Sequence, residues 1–590
     1  MKILVKVARI SRFRGLENLE VKLGLMTVLT GMNNSGKTSF LKALQLALGN
    51  RQFISPEDFF IRNNTTDPRI IIDLLIVPLN SDGQEIDDFS EEWEVILTTD
   101  RIRTDGEKSF VPLRTICLLD PVSNSYKTQQ YILGDWPEFK SGEKFWYDEM
   151  NGNKTSFHLE EVPFFYIDAQ RDIMEDTKIR SSYLGKMLAN VEYSSDDIGE
   201  IEEQIKALNE KAVDSSSILR DIRETLKELD SAMGQSGDGI EITPFTKKIR
   251  DLNKGLTIYY GDESDSFSME YHGMGTRSWS SLLTLKSFIS QLSKHRERQD
   301  AGFFPIVSIE EPETHLHPNA QKKLYSQLNE IVGQKIISTH SPYIAATADL
   351  GQIRNFYKGE LVQCGQLEIE DLDKESIRKI ERQVIASRGE IFFSRLLIFF
   401  EGETEEQALP ILAQKYFGVS PIELGIDFVG VGGYNGYEPF IKFAQNLSIP
   451  WLILSDAEEA AKRSIRRQLR NMEIEDQESE FILFLDDGND FEKQLIADGF
   501  QEEIKQAILS LDRYENDAHR QAREPARVQE VSGFSESELH NIISGKKTKY
   551  APVVSQKIVS SQKQLPNHVS YLFDKVSEIL NSDKAKANDE

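Results

Sequence analysis

Three groups of residues have the types and spacing that phosphate chemistry needs. The run Gly31-Met32-Asn33-Asn34-Ser35-Gly36-Lys37-Thr38 fits G-x-x-x-x-G-K-[ST] and lies between a strand-like run, residues 25–30, and a helix-like one, residues 39–47. Glycines there let backbone N–H groups approach phosphate, the lysine neutralises β- and γ-oxygens, and the threonine is placed to ligate Mg²⁺. Asn33, Asn34, Ser35, Gly36, Lys37 and Thr38 therefore form the expected nucleotide-binding set, with ATP and one Mg²⁺ as ligands. Downstream, the apolar run 304–309 ends in Glu310-Glu311. A carboxylate at a strand end holds the metal and its neighbour activates the attacking water, which assigns Glu310 to the ion and Glu311 to general-base work. His340 follows another strand-like run and would reach the γ-phosphate, while Gly273 and Gly275 open a predicted helix whose N-terminus offers a second phosphate contact, made across a dimer.

The third group is acidic. Glu401 follows the apolar run 396–400 and Glu405 comes four residues later, on the same side of a helix start. Asp456 and Glu458 follow the run 452–455, and Asp490 and Glu492 follow 481–485. Carboxylates at three strand tips of one parallel sheet converge at one edge, and like charges so gathered repel unless cations neutralise them. Two divalent ions serving phosphodiester hydrolysis explain the set.

The elements that must position these groups are readable from periodicity. Strand-like alternation covers residues 3–10, and several β-rich runs between about 70 and 133 predict a mostly antiparallel subsheet. From 201 to 229, Ile201, Ile205, Leu208, Ala212, Leu219, Ile222, Leu226 and Leu229 recur in steps of four and three, interrupted at Ser215. This predicts either a heptad seam broken near 214–217 into a hairpin or partner-binding arm, or a plain amphipathic helix packed on its own domain, followed by a flexible connection at 234–239. From about 395 strands and helices alternate: strand 396–400, helix 403–416, strand 426–431, helix 439–447, strand 451–454, helix 457–470, strand 481–485. That order predicts a parallel sheet.

Composition narrows the class. The 590 residues include 69 Lys+Arg against 96 Asp+Glu, a formal charge of −27, which excludes a protein that coats nucleic acid through net charge and confines DNA contact to local basic groups. Lys462, Arg463, Arg466, Arg467 and Arg470 are one such group, and Lys546, Lys547 and Lys549 another. Cys117 and Cys364 are too few for a disulfide framework or thiolate zinc site, and no apolar run is long enough to span a membrane. A reducing cytoplasm is the expected setting.

The order P-loop, Gly273-Met274-Gly275, Glu310-Glu311-Pro312-Glu313 with Leu316-His317-Pro318, and Ser338-Thr339-His340-Ser341-Pro342 resembles ABC-type ATPases of the chromosome-maintenance and recombination-repair kind. Residues 165–172 look like the glutamine loop of such heads, which implies nucleotide sensing by Gln170. The pattern of Glu401, Glu405, Gly430-Val431-Gly432-Gly433 and Asp456-Ala457-Glu458 is similar to Toprim domains, although these usually carry Asp-x-Asp. An ABC-type ATPase followed by Toprim resembles the overcoming-lysogenisation-defect (OLD) family of nucleases, which includes the Gabija nuclease subunit and retron effectors. The resemblance implies an α/β chain: ATPase residues 1–175 and 241–385, an inserted helical, dimerising segment at 176–240, and Toprim from 390 to 590. It also implies DNA cleavage with Mg²⁺ or Mn²⁺, a homodimer or homotetramer, antiphage defence, and a late catalytic lysine, with Lys547 ahead of Lys549. A UvrD-like helicase, or a reverse transcriptase with its RNA and DNA, is the partner implied by the Gabija or retron arrangement. A nucleotide-operated scaffold active only with such a partner is the alternative. A topoisomerase or primase is disfavoured, since there is neither a cleavage-module tyrosine nor a zinc-binding cysteine set.

Overall fold

Lys2–Phe13, buried along most of its length, pairs antiparallel with Leu16–Lys22 on one side and Arg69–Leu79 on the other. A computed structural model of the chain describes residues 2–49, 54–62, 65–66, 69–120, 125–139, 146, 152–173, 195–220, 259–260, 267–299, 301–359, 361–387, 389–474, 481–486 and 488–588. The first sheet continues through Lys108–Asp120, Ser125–Leu133 and Gly152–Thr155, each pair antiparallel, with Arg103–Asp105 hairpinned onto Lys108–Asp120. The antiparallel subsheet expected at 70–133 is therefore present and also takes in the N-terminal strand. Asp73 and Arg114 cross it as a bidentate pair, 2.8 Å at each contact and inaccessible to solvent.

The second sheet runs Phe164–Ile167, Ile306–Glu310, Gln334–Ser338, Met26–Gly31, Ile353–Lys358, Val362–Gln366. Ile306–Glu310, Gln334–Ser338, Met26–Gly31 and Ile353–Lys358 are mutually parallel, and every residue of the first three is buried. Continuous apolar runs are what strands covered on both faces require. Their carboxyl ends carry the Gly31–Thr38 loop, Glu310 and His340, which the parallel order brings to one edge.

The third sheet, ordered Ile426–Gly430, Leu396–Phe400, Trp451–Ser455, Ile482–Phe484, is entirely parallel. Its helices, Glu403–Phe417, Tyr437–Asn446 and Glu459–Asn471, fall where the apolar periodicity predicts them. The C-terminal helices Gln501–Ser510, Lys547–Ser560 and Asn567–Asn588 close the same core through Ile504, Val554 and Phe573. Full burial of each such side chain contributes about 1.5–3 kcal/mol.

The chain forms two compact units: one comprises Met1–Tyr166, Ile306–Glu310 and Gln334–Glu590, the other Ile167–Pro305 and Glu311–Gly333. Within the first, Thr30 Oγ1 donates to Asn355 Oδ1 (3.1 Å), and Asn355 Nδ2 donates to the Leu447 carbonyl (2.9 Å). Beside this bond Gly365 lies so close to the Asn446 carbonyl oxygen that an added Cβ would stand 2.4 Å from it. Phosphate-loop strand and third-sheet helix are thus joined by side chain and backbone.

In the second unit, Trp279 Nε1 donates to Gln327 Oε1 (2.7 Å), tying Met274–Arg298 to Pro318–Asn329. The helix Ser195–Ser215 ends where the sequence predicts a break, and the Ser216 hydroxyl accepts from the Leu219 N–H at 3.3 Å. The heptad register differs: Leu208 is 51% exposed while Asn209 and Val213 are buried. Burial at 209 and 213 continues Ile201 and Ile205 in steps of four, the stripe of a straight helix instead of a supercoil seam. Ile222, Leu226, Leu229 and the connection at 234–239 lie outside the described residues.

Candidate nucleotide and metal centres

At the nucleotide loop, Gly31 has φ 124°, and a Cβ on it would stand 2.0 Å from the Phe356 carbonyl oxygen, so only glycine fits. Lys37 is buried, and its Nζ donates to the carbonyls of Gly31 (2.7 Å) and Met32 (2.8 Å) and to Ser35 Oγ (3.3 Å). The ammonium thereby holds the loop open around itself, while Asn33 and the left-handed Asn34 (φ 60°) lie exposed at the rim. Gly36 caps the helix Lys37–Leu48. The Thr38 hydroxyl donates to Glu310 Oε1 and the Tyr166 hydroxyl to Glu310 Oε2. Threonine hydroxyl and carboxylate in contact are a donor pair suited to a small hard cation such as Mg²⁺. His340, half-buried, is pushed down to about 4 by burial and by the charge of Lys37, so its imidazole is neutral at physiological pH.

Four further nucleotide-site candidates belong to the second unit. Glu311 has φ 41°, and the Thr314 hydroxyl donates to its main-chain carbonyl at 2.9 Å and its carboxylate at 3.5 Å. Gln170 is exposed, its N–H bonded to Asp168 Oδ1 (3.1 Å). Gly273 caps the helix Met274–Arg298 with open space around its Cα, whereas a Cβ on Gly275 would meet the His315 carbonyl oxygen at 2.4 Å. Close packing accounts for the second glycine independently of any phosphate. Arg171, which the sequence reading passed over, is buried and donates to the carbonyls of Pro312 (2.7 Å) and Glu311, anchoring the segment after the acidic pair. Asp172 pairs with Arg277, binding the same stretch to the helix that Gly273 opens.

The third sheet gathers the acids. Glu401 leaves the strand Leu396–Phe400, Glu405 lies in the first turn of Glu403–Phe417, Asp456 leaves Trp451–Ser455, and Glu492 lies in the first turn of Phe491–Ala497. Ser455 Oγ donates to Glu401 Oε1 (2.7 Å) and Thr404 Oγ1 to Glu492 Oε1 (2.6 Å). Burial, then the charges of Asp456 and Glu492, pushes Glu405 up to about 8 against the pull of Lys547. Burial and Glu401, Asp490 and Glu492 push Asp456 up to about 7. Two buried oxygens, Asp456 Oδ1 and Glu492 Oε2, have no hydrogen-bond partner among the described residues. Oxygen-only donors, excess negative charge and orphaned lone pairs fit hard divalent cations.

Of the remaining candidates, Lys547 Nζ stands 3.4 Å from Glu492 Oε1, and although burial works against its charge, Glu492, Glu405 and Asp456 hold its pKa above the ordinary lysine value. Lys546 and Lys549 are exposed. Glu458 is exposed at the N-cap of Glu459–Asn471, near enough for its charge to raise Glu401. Asp490 caps its helix through the Lys493 N–H (2.7 Å) and pairs with His540 Nε2 (2.8 Å), so both its oxygens are engaged. The basic residues Arg463, Arg466, Arg467 and Arg470 are exposed along the helix that begins beside Asp456.

A family model described as the AAA ATPase domain matches residues 3–345, and one described as the overcoming lysogenization defect protein-like TOPRIM domain matches residues 392–457. The chain belongs to the AAA ATPase domain family and carries an OLD-like Toprim domain. It is 24% identical over 509 residues to the OLD nuclease of Thermus scotoductus, covering 81% of this chain and 88% of that protein. It is 23% identical over 484 residues to the endonuclease GajA of Bacillus cereus strain VD045, covering 77% and 75%. The C-terminal region of the Xanthomonas campestris pv. campestris OLD protein aligns at 22% identity with a TM-score of 0.26, over 33% of this chain and 97% of that one.

Sequence reasoning missed Ser455, Thr404, Tyr166 and Tyr437 at these centres. Ser455 left a signal, a hydroxyl ending an otherwise apolar buried strand next to an acid. Tyr437 left none, because a tyrosine at a helix start reads as packing.

Proposed function

We propose that this protein is an ATP-binding and ATP-hydrolysing, divalent-metal-dependent DNA endonuclease. Its enzyme class is nuclease, as for the relatives it matches over most of its length. The metal-dependent reading rests on the unpartnered Asp456 Oδ1 and Glu492 Oε2 in a group of four acids of which Glu405 and Glu492 are buried and Glu401 and Asp456 half-buried. Glu401, Glu405, Asp456 and Glu492 would hold two ions, with Glu458 and Asp490 at the margin. Bound Mg²⁺ or Mn²⁺ supplies an activated water and stabilises the leaving oxygen. Ser455 and Thr404 fix the orientation of Glu401 and Glu492, and Lys547 offers a positive charge to the phosphate. Lys462, Arg463, Arg466, Arg467 and Arg470 share a helix face on which a phosphate backbone can run toward Asp456.

For the nucleotide, Asn33 to Thr38 cradle the phosphates, Thr38 and Glu310 hold Mg²⁺, Glu311 acts as base, His340 meets the γ-phosphate, and Gln170 senses the nucleotide. Gly273 and Gly275 would complete the site of a second subunit in a homodimer or homotetramer. The cellular role is antiphage defence in the cytoplasm, a reading carried by the family resemblance. The exposure of Glu458, where Toprim domains usually carry an aspartate, favours a second reading in which cleavage needs a partner, a UvrD-like helicase or a reverse transcriptase with its RNA and DNA.

Supercoiled plasmid incubated with the protein and Mg²⁺ or Mn²⁺, with and without ATP, tests this. Nicked or linear product is expected from wild type. Intact plasmid under every condition overturns the stand-alone reading.

A further inference from the structure

Tyr437 begins the helix Tyr437–Asn446 and is wholly inaccessible to solvent. Its hydroxyl lies among the charges of Glu401, Glu405 and Asp456 and interacts with the Ser455 side chain, yet among the described residues it makes no hydrogen bond of regular geometry. Ser455 Oγ donates to Glu401 Oε1 at 2.7 Å with the Asp456 carbonyl 3.0 Å away, so its proton is not available to the tyrosine. The backbone around the tyrosine is pinned: Gln468 Nε2 donates to the Tyr434 carbonyl (2.8 Å), Gln468 Oε1 accepts from the Glu438 N–H (3.0 Å), and Ser464 Oγ donates to Asn435 Oδ1 (2.6 Å). A buried hydroxyl without a well-formed hydrogen bond is destabilising, and phenylalanine would fill the same space without that penalty.

The chain thus holds a neutral hydrogen-bond donor fixed toward the acids, on the Glu401 side, while Lys547 is the cation facing Glu492. We propose that Tyr437 is a positioning residue of the carboxylate centre, its hydroxyl donating to a water carried in the shell of the divalent cation that Glu401, Glu405 and Asp456 hold. This rests on reading the cluster as a cation site. A tyrosine suits the task because it donates without adding positive charge, so it orients a water and does not compete with the ion for the carboxylates.

The test uses the full chain with Mn²⁺ alone as probe. Wild type, Tyr437→Phe and Glu401→Gln are compared by thermal melting in chelator and by calorimetric titration of Mn²⁺. Tyr437→Phe should melt in chelator at the wild-type temperature or above it, and should bind Mn²⁺ about tenfold more weakly, the loss of one hydrogen bond. A lowered melting temperature in chelator assigns the hydroxyl to a structural bond with Ser455 and overturns the proposal, as does an unchanged Kd. If wild type itself binds no Mn²⁺ that Glu401→Gln abolishes, the cation site fails, and that failure is visible without the tyrosine variant. Should Tyr437→Phe not fold, 3,5-difluorotyrosine at 437, a stronger donor of nearly the same shape, should tighten Mn²⁺ binding; unchanged or weaker binding overturns the proposal.

Discussion

The nucleotide loop and the carboxylate centre both stand at the carboxyl ends of parallel strands, yet they satisfy their own polar groups in opposite ways. Lys37 satisfies itself on the carbonyls of its own loop, and Glu310 has a hydroxyl on each oxygen. The carboxylate centre keeps orphaned oxygens and acids whose protons are held far above the ordinary range. A loop whose backbone does the binding can be complete before ligand arrives. A site made of like charges is frustrated until a cation enters.

The comparison breaks most decisively if the two centres cannot be inactivated separately. Asp456→Asn should lower plasmid cleavage by about a thousandfold or more, the removal of a metal-dependent stabilisation of several kcal/mol, while ATP binding measured by a fluorescent nucleotide stays as in wild type. Lys37→Ala should weaken ATP binding by about a hundredfold yet leave Mn²⁺ titration of the acidic centre unaltered. Lys547→Met should slow cleavage by about ten- to a hundredfold with little change in ATP binding; Lys549→Met, exposed beside it, should do neither.

The smallest effect is thermal and depends on pH. Folded Glu405 and Asp456 hold protons up to about 8 and about 7, whereas the unfolded chain releases them near 4.5 and 3.8. Between those ranges the folded state binds more protons than the unfolded one, so stability in chelator is fullest in acid and declines as pH rises, levelling above about 8. Melting in chelator should fall by about a few degrees from pH 5 to pH 8, and Glu405→Gln should flatten the decline. Mn²⁺ must displace those protons, so its affinity should rise over the same window. A melting temperature indifferent to pH would show that the centre is not frustrated.

Much of this contrast was legible in the residues. Continuous apolar strands ending in acids placed Glu401, Asp456 and Glu310 at strand tips, because strand burial and chain order alone determine which side chains reach that edge. The roles of neighbours were not legible: whether Asp490 binds a cation or caps a helix depends on His540, fifty residues away in sequence. The choice at 201–215 stayed open for a related reason, since steps of three and four fit both a supercoil and a straight amphipathic helix, and only packing selects Asn209 over Leu208.

The bond from Asn355 to the Leu447 carbonyl, with Gly365 against Asn446, bears on how the chain can be divided. Residues 390 to 590 read as a module that could be lifted out and moved. A fragment cut there would trade a backbone-tight junction for bare peptide groups facing water, and a foreign ATPase joined to it would need a residue without a side chain at the place of Gly365. Homologous exchange of halves between relatives should therefore succeed only when the junction strand travels with the catalytic half.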